Sequence, residues 1–90
     1  MNFEIEANQI VYREGNRTLA FIHWTAVDAH TIAADHTFVD ESLRGRGVGK
    51  ALLDALAAHA AARGWRIRAV CPFVAKWFER SREYDGVKAA

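Results

Sequence analysis

The chain carries Leu43-Arg44-Gly45-Arg46-Gly47-Val48-Gly49-Lys50-Ala51-Leu52, a run in which glycines alternate with arginine and valine. An apolar, strand-like segment precedes it and a helical pattern follows. Such a turn presents backbone N–H groups at the start of a helix, where the helix dipole favours a negative group. Arg44, Arg46 and Lys50 add positive charge beside those amides. The chemistry that these residue types suit is the cradling of a phosphate or pyrophosphate. Two familiar phosphate loops do not match. A nucleotide-triphosphatase loop needs one more residue between its glycines and a hydroxyl for magnesium, where this chain has Ala51. A dinucleotide fingerprint needs a third glycine where Lys50 stands, and it belongs in the first strand–helix turn of a long alternating array.

The elements around the loop follow from hydrophobic period. Phe3, Ile5 and Ala7 alternate with Glu4 and Glu6, which predicts a half-buried strand over 3–7. A second strand is expected over 9–13, followed by a Glu14-Gly15-Asn16 turn. Residues 18–25 form a third strand with both faces apolar, hence central, and 27–30 the next turn. Residues 31–39 form a fourth. Short links make these four strands antiparallel. From Val48, apolar residues keep helical spacing as far as the Arg63-Gly64 stop. Residues 66–70 form a fifth strand, parallel to the fourth because a helix joins them. Pro72 suits a first helical turn, so a second helix spans 73–80 with Phe73, Val74, Trp77 and Phe78 as its apolar residues. The polar tail from Ser81 is expected to fray.

Composition narrows the class. Ninety residues with one cysteine and one proline suggest one small domain over 1–90. A lone cysteine excludes an internal disulfide, and nothing has metal-ligand spacing. With no signal segment and no apolar run able to cross a bilayer, a cytoplasmic protein without a membrane partner is expected. The net charge of +1 hides an asymmetry. Residues 1–43 hold two basic and seven acidic side chains, net −5, and residues 44–90 hold ten and four, net +6. The basic half suits a polyanionic ligand, while the near-neutral total argues against a nucleic-acid partner.

One further motif is met. Arg44-Gly45-Arg46-Gly47-Val48-Gly49 fits [RQ]-x-x-G-x-[GA], and it resembles the pyrophosphate loop of the GNAT superfamily of acyl-CoA-dependent N-acyltransferases. The order of elements agrees. Asp35-His36-Thr37-Phe38-Val39-Asp40-Glu41 before the loop, and Cys71-Pro72-Phe73-Val74 after the fifth strand, resemble a miniature subgroup of that superfamily. The resemblance spans residues 3 to 85. It implies an α/β fold of the α+β type: a five-stranded, mostly antiparallel mixed sheet, strands four and five parallel and splayed, two helices after strand four. It implies acetyl-CoA or coenzyme A as the ligand. The backbone of Phe38 and Val39 would meet the pantetheine arm. Arg44, Gly45, Arg46, Gly47, Val48, Gly49, Lys50 and Ala51 would hold the pyrophosphate without a metal.

Amine acylation needs a deprotonated acceptor, a polarised carbonyl and a proton for the departing thiolate. Cys71, at a strand end before a helix N-terminus, is a candidate acyl carrier or proton donor, with an inert core residue as the equal alternative. His36 is a candidate base, weighed against a structural histidine bonded to a neighbouring strand. Glu41 is a candidate base or, preferably, a cap of the loop. Tyr84 is a weaker proton donor, Trp77 and Phe78 are read as core, and His23, His30 and His59 receive no role. Larger relatives carry two helices after the first strand that build much of the acceptor site, and this chain lacks them. The leading expectation is therefore acetyl transfer to an exposed amine of a protein or small molecule. The alternative is a non-catalytic acyl-CoA binding or sensing module. A second subunit is one way to complete the site, so the oligomeric state, dimer included, stays open.

Overall fold

A computed structural model of the protein describes residues 1–89. Five strands form one sheet in chain order: β1 (Glu4–Ile5), β2 (Gln9–Glu14), β3 (Arg17–Asp28), β4 (Thr31–Val39) and β5 (Arg66–Ala69). The first four pair antiparallel and β4 pairs β5 parallel, through the crossover helix α1 (Val48–Arg63). Helix α2 (Pro72–Arg80) follows β5. This is the α+β architecture that the sequence implies, and β3 is its central strand.

The ends of α1 have local causes. Gly47 at the N-cap and Gly64 at the C-cap both adopt left-handed backbone angles, which a side chain would strain. One face of α1 carries Leu52, Leu53, Leu56 and Ala60, none of them exposed to solvent. They pack on Ile10, Ala20, Ile22, Ile32 and Ala34 of the sheet, and Val74 and Phe78 of α2 join the same cluster. Both helices therefore cover one sheet face.

Most boundaries agree with the sequence expectation within one residue, and three places differ by more. The first strand is only Glu4–Ile5 and both residues are exposed, because a tight turn bonding Glu6 N–H to Gln9 C=O at 2.8 Å ends it early. The third strand runs on through Val27 and Asp28, and Asp28 accepts from His30 N–H at 2.8 Å to close a shorter turn. The tail after Ser81 does not fray. Arg82–Tyr84 forms a 3-10 turn, Tyr84 and Val87 are buried, and the chain returns to the outer edge of β5. There Ile67 N–H donates to Val87 C=O at 2.6 Å, and Ala89 N–H donates to Ile67 C=O at 2.9 Å. Isolated apolar anchors in a polar segment give no periodic signal, so this packing is invisible to pattern reading.

Register in β4 decides which of its side chains reach the helix side of the sheet. His36 opposes His23, yet Ala34 opposes Trp24, so Asp35 is an extra residue without a partner, a β-bulge. Strict alternation from the buried Ile32 and Ala34 would turn His36 and Phe38 toward the helices. The bulge reverses that phase. Thr37 and Val39 now face the helices, while His36 and Phe38 lie on the open face against Phe21, at ring distances of 5.3 and 5.7 Å.

Candidate functional site

Strands β4 and β5 part company at Ala34. The last β4–β5 pair is Ala34 with Ala69, and the N–H groups of Val70 and Cys71 both donate to Ala34 C=O, at 3.1 and 2.8 Å. Strand β4 continues to Val39, so its edge from Asp35 onward faces a gap rather than a strand. Backbone polar groups along that edge are available to an extended ligand.

At the top of the gap lies a cavity of about 250 Å³. Val39 and Leu43 bound it on the β4 side, Gly45 and Gly47 along the loop, and Phe73 and Trp77 of α2 form its aromatic wall. Gly45 and Gly47 hold φ of 81° and 72°. Gly49 has a different reason to lack a side chain: a Cβ there would sit 2.8 Å from Cζ of Phe73. The close approach that this glycine permits is that of an aromatic wall, where the sequence reading expected a diphosphate.

Among the described residues, no backbone carbonyl and no side chain accepts from the N–H groups of residues 45–50. These amides converge on the N-terminus of a 16-residue helix. Ala51 departs from the expectation, since its N–H already donates to Gly47 C=O at 3.0 Å. Arg44 and Arg46 are exposed, and neither takes part in an ion pair among the described residues. Lys50 is engaged. Its Nζ lies 3.1 Å from Asp54 and 3.3 Å from Glu83, and 5.3 Å from the Trp77 ring centre. The hydrogen bond it donates to Asp54, foremost, holds its pKa above the ordinary lysine range.

The candidate chemical groups are dispersed. Cys71 caps the start of α2, is 6% exposed, and points its Sγ at Thr37 Oγ1 3.5 Å away, beside the gap. It does not line the cavity. His36 lies across the sheet from Cys71. Among the described residues it makes no side-chain hydrogen bond, so its expected tie to a neighbouring strand is absent. That tie belongs to His23, whose Nδ1 lies 2.7 Å from Asp35 Oδ1. Glu41 is exposed in a 3-10 turn, and the cap expected of it is made by Asp40, whose carboxylate accepts from Ser42 N–H at 3.0 Å. Tyr84 is buried and donates to Asp54 at 2.5 Å; burial, then that carboxylate, pushes its pKa up to about 12. It is a poor acid at neutral pH. Leu43, Phe73 and Trp77 are the cavity-lining residues that sequence reasoning missed, and the two aromatics form its wall. The four-residue spacing of Phe73 and Trp77 on one helix face was the available signal, and it reads equally as core.

No group of three or more His, Cys, Asp or Glu side chains among the described residues is placed to hold a metal ion. No helix among them is long and apolar enough to cross a membrane.

A mixed sheet whose parallel strands splay beside a glycine loop and a helix N-terminus defines the fold of N-acyltransferases of the GNAT type. The chain belongs to the GCN5-related N-acetyltransferase family, whose profile matches residues 3–87. It is similar to a GCN5-like protein from Staphylococcus aureus solved in solution by NMR, with 33% identity and a TM-score of 0.83 over 99% of this chain and 88% of that one. It also resembles the ribosomal-protein-alanine N-acetyltransferase of Brucella melitensis, at 26% identity and a TM-score of 0.59 over 91% of this chain. The match covers 62% of the Brucella enzyme. A Mycobacterium tuberculosis protein crystallised with CoA shares the fold at 17% identity and a TM-score of 0.64, over 81% of this chain and 46% of that one. No curated protein matches the chain.

Proposed function

We propose that this protein binds acetyl-CoA and transfers its acetyl group to an exposed amine of a protein or small molecule. The observation that carries the reading is the set of unpaired amides of residues 45–50, at the start of α1 and adjoining the open edge of β4. The pyrophosphate is held by those amides with Arg44 and Arg46 at its flank. The pantetheine amides pair with the β4 backbone near Phe38 and Val39, where no strand competes. Family membership and the CoA complex of the M. tuberculosis protein support this ligand.

When bound, acetyl-CoA supplies a thioester; transfer then forms an N–C bond and breaks the C–S bond. The acceptor amine loses a proton and the thiolate gains one. Of the three groups with suitable chemistry, Cys71 is favoured, since its thiol sits beside the gap at the N-terminus of α2. His36 is on the open sheet face and Glu41 lies outside the cavity, so either acts only on an acceptor arriving from its own side.

A second reading, a binding or sensing module without turnover, is favoured by one feature. The residues lining the cavity include no carboxylate, histidine, cysteine or tyrosine. Calorimetric titration with acetyl-CoA and CoA tests the shared part, and free-thiol release from acetyl-CoA with an amine present separates the two. Micromolar binding with no thiol release leaves the module. No binding at millimolar ligand refutes both. Gly47→Glu is the control: it strains a backbone held at φ 72° by about 1–2 kcal/mol and sets a carboxylate among the amides, so binding is lost.

A further inference from the structure

Lys50 stands where the loop meets α1, and its position alone suggests a phosphate ligand. Its surroundings say otherwise. The ammonium has three donors. They meet both Asp54 carboxylate oxygens, at 3.1 and 3.4 Å, and Glu83 Oε1 at 3.3 Å. The ammonium also faces the Trp77 ring at 5.3 Å and the Tyr84 ring at 5.9 Å. Tyr84 OH closes the circuit by donating to Asp54. With all three donors engaged, the ammonium has none left for a phosphate oxygen. Meanwhile Lys50 and Trp77 both line the cavity. The cation lies over an indole that has no hydrogen bond to another described side chain holding it in place.

We propose that Lys50 is a positioning residue that ties Trp77, part of the cavity wall, to the C-terminal 3-10 turn behind it, and is not a ligand of the phosphates. The proposal rests on reading the cavity as the acyl-CoA site. Phosphate affinity then comes from the loop amides, Arg44 and Arg46. Glu83, 33 residues further along the chain, becomes part of the site without touching its ligand.

The test titrates the full chain with CoA at low and high salt, for the wild type, Lys50→Met, Glu83→Ala, their double variant and Arg46→Ala. Glu83→Ala should weaken CoA roughly two- to fivefold, the scale of one partly exposed ion pair. Lys50→Met should do the same, the double variant should be no worse than either, and the salt dependence should match the wild type. Arg46→Ala should flatten it. If Lys50 instead binds phosphate, Glu83→Ala releases it and CoA binds more tightly, and Lys50→Met flattens the salt dependence. Either result overturns the proposal. A ligand-free arm stands apart: Trp77 emission, isolated by subtracting the Trp77→Phe spectrum in each background, should shift in Lys50→Met and in Glu83→Ala. Unchanged emission refutes the positioning role. If the wild type binds no CoA, the acyl-CoA reading fails while this arm still decides whether Lys50 positions the wall. Should Lys50→Met fail to fold, Glu83→Ala decides alone, since it alters an exposed side chain.

Discussion

Gly49→Ala separates the needs of the helix from those of the site. The new methyl would lie 2.8 Å from Phe73 Cζ, and ordinary contact begins at 3.4 Å, so the ring must retreat by about 0.6 Å. The displaced atom is the far end of a half-buried side chain, not backbone, so the ring can turn. A turn of that size costs about 0.5–1.5 kcal/mol in off-rotamer strain. Replacing glycine by alanine early in a helix returns up to about 1 kcal/mol. The two nearly cancel, and the expected change in unfolding free energy is within about 0.5 kcal/mol of zero. The cavity does not share that cancellation. Phe73 forms its wall, and the displaced ring alters the space beside Val39 and Trp77. CoA affinity should fall by about five- to tenfold, or 1–1.4 kcal/mol. Thermal unfolding and calorimetric titration on the same preparations read both quantities. Phe73→Leu in the Gly49→Ala background removes Cζ and should recover part of the loss. Wild-type affinity in Gly49→Ala, or a loss of stability above 2 kcal/mol, where roughly 0.5 is expected, would refute the reasoning.

Other outcomes rest on the same geometry. Cys71→Ala should leave CoA binding within twofold and lower thiol release from acetyl-CoA by roughly a hundredfold, the lower end of acid–base contributions; unchanged turnover reduces Cys71 to packing against Thr37. Tyr84→Phe should destabilise the fold by about 1–2 kcal/mol, because a hydrogen bond to a partly exposed carboxylate is lost; chemical denaturation measures it, and an unchanged midpoint refutes the anchoring of the tail. His59, packed between Trp24 and Trp65, has its pKa lowered by burial and then by Arg63. The unfolded chain then takes up its proton first, so the His59 contribution is intact above about pH 6.5 and declines as pH falls below that value. Thermal unfolding of His59→Phe should show a shallower loss between pH 7 and about 5 than the wild type; parallel curves would assign that slope to other groups.

Much of the frame was legible because its signals are local. The turn residues before it and the glycine loop after it mark Thr31–Val39 to the residue, and helical spacing with glycines at both ends marks Val48–Arg63. The loop was legible for the same reason. The parts that escaped reading depend on distant partners. Lys50 is engaged by Glu83, Tyr84 by Asp54, and the tail by Ile67 of β5. The placement of His36 escaped because the bulge at Asp35 leaves no mark in composition. Residues that share a face before the bulge and after it look continuous in the sequence and are not.

That bulge also makes β4 behave like a text with a shifted reading frame. Upstream of Asp35 the even-numbered residues face the core; downstream the odd-numbered ones do. Substituting Asp35 perturbs one side chain and its bonds to His23 and Thr25. Deleting it would close the bulge and leave His36 opposite His23, with Thr37 and Val39 still toward the helices and His36 and Phe38 still on the open face. The same property fixes a tolerance: a residue can be lost at this position, whereas a deletion among the paired residues of β4 exchanges faces along part of the strand. A one-residue deletion here would keep the ligand-facing surface of β4 and remove only the carboxylate that binds His23 and Thr25.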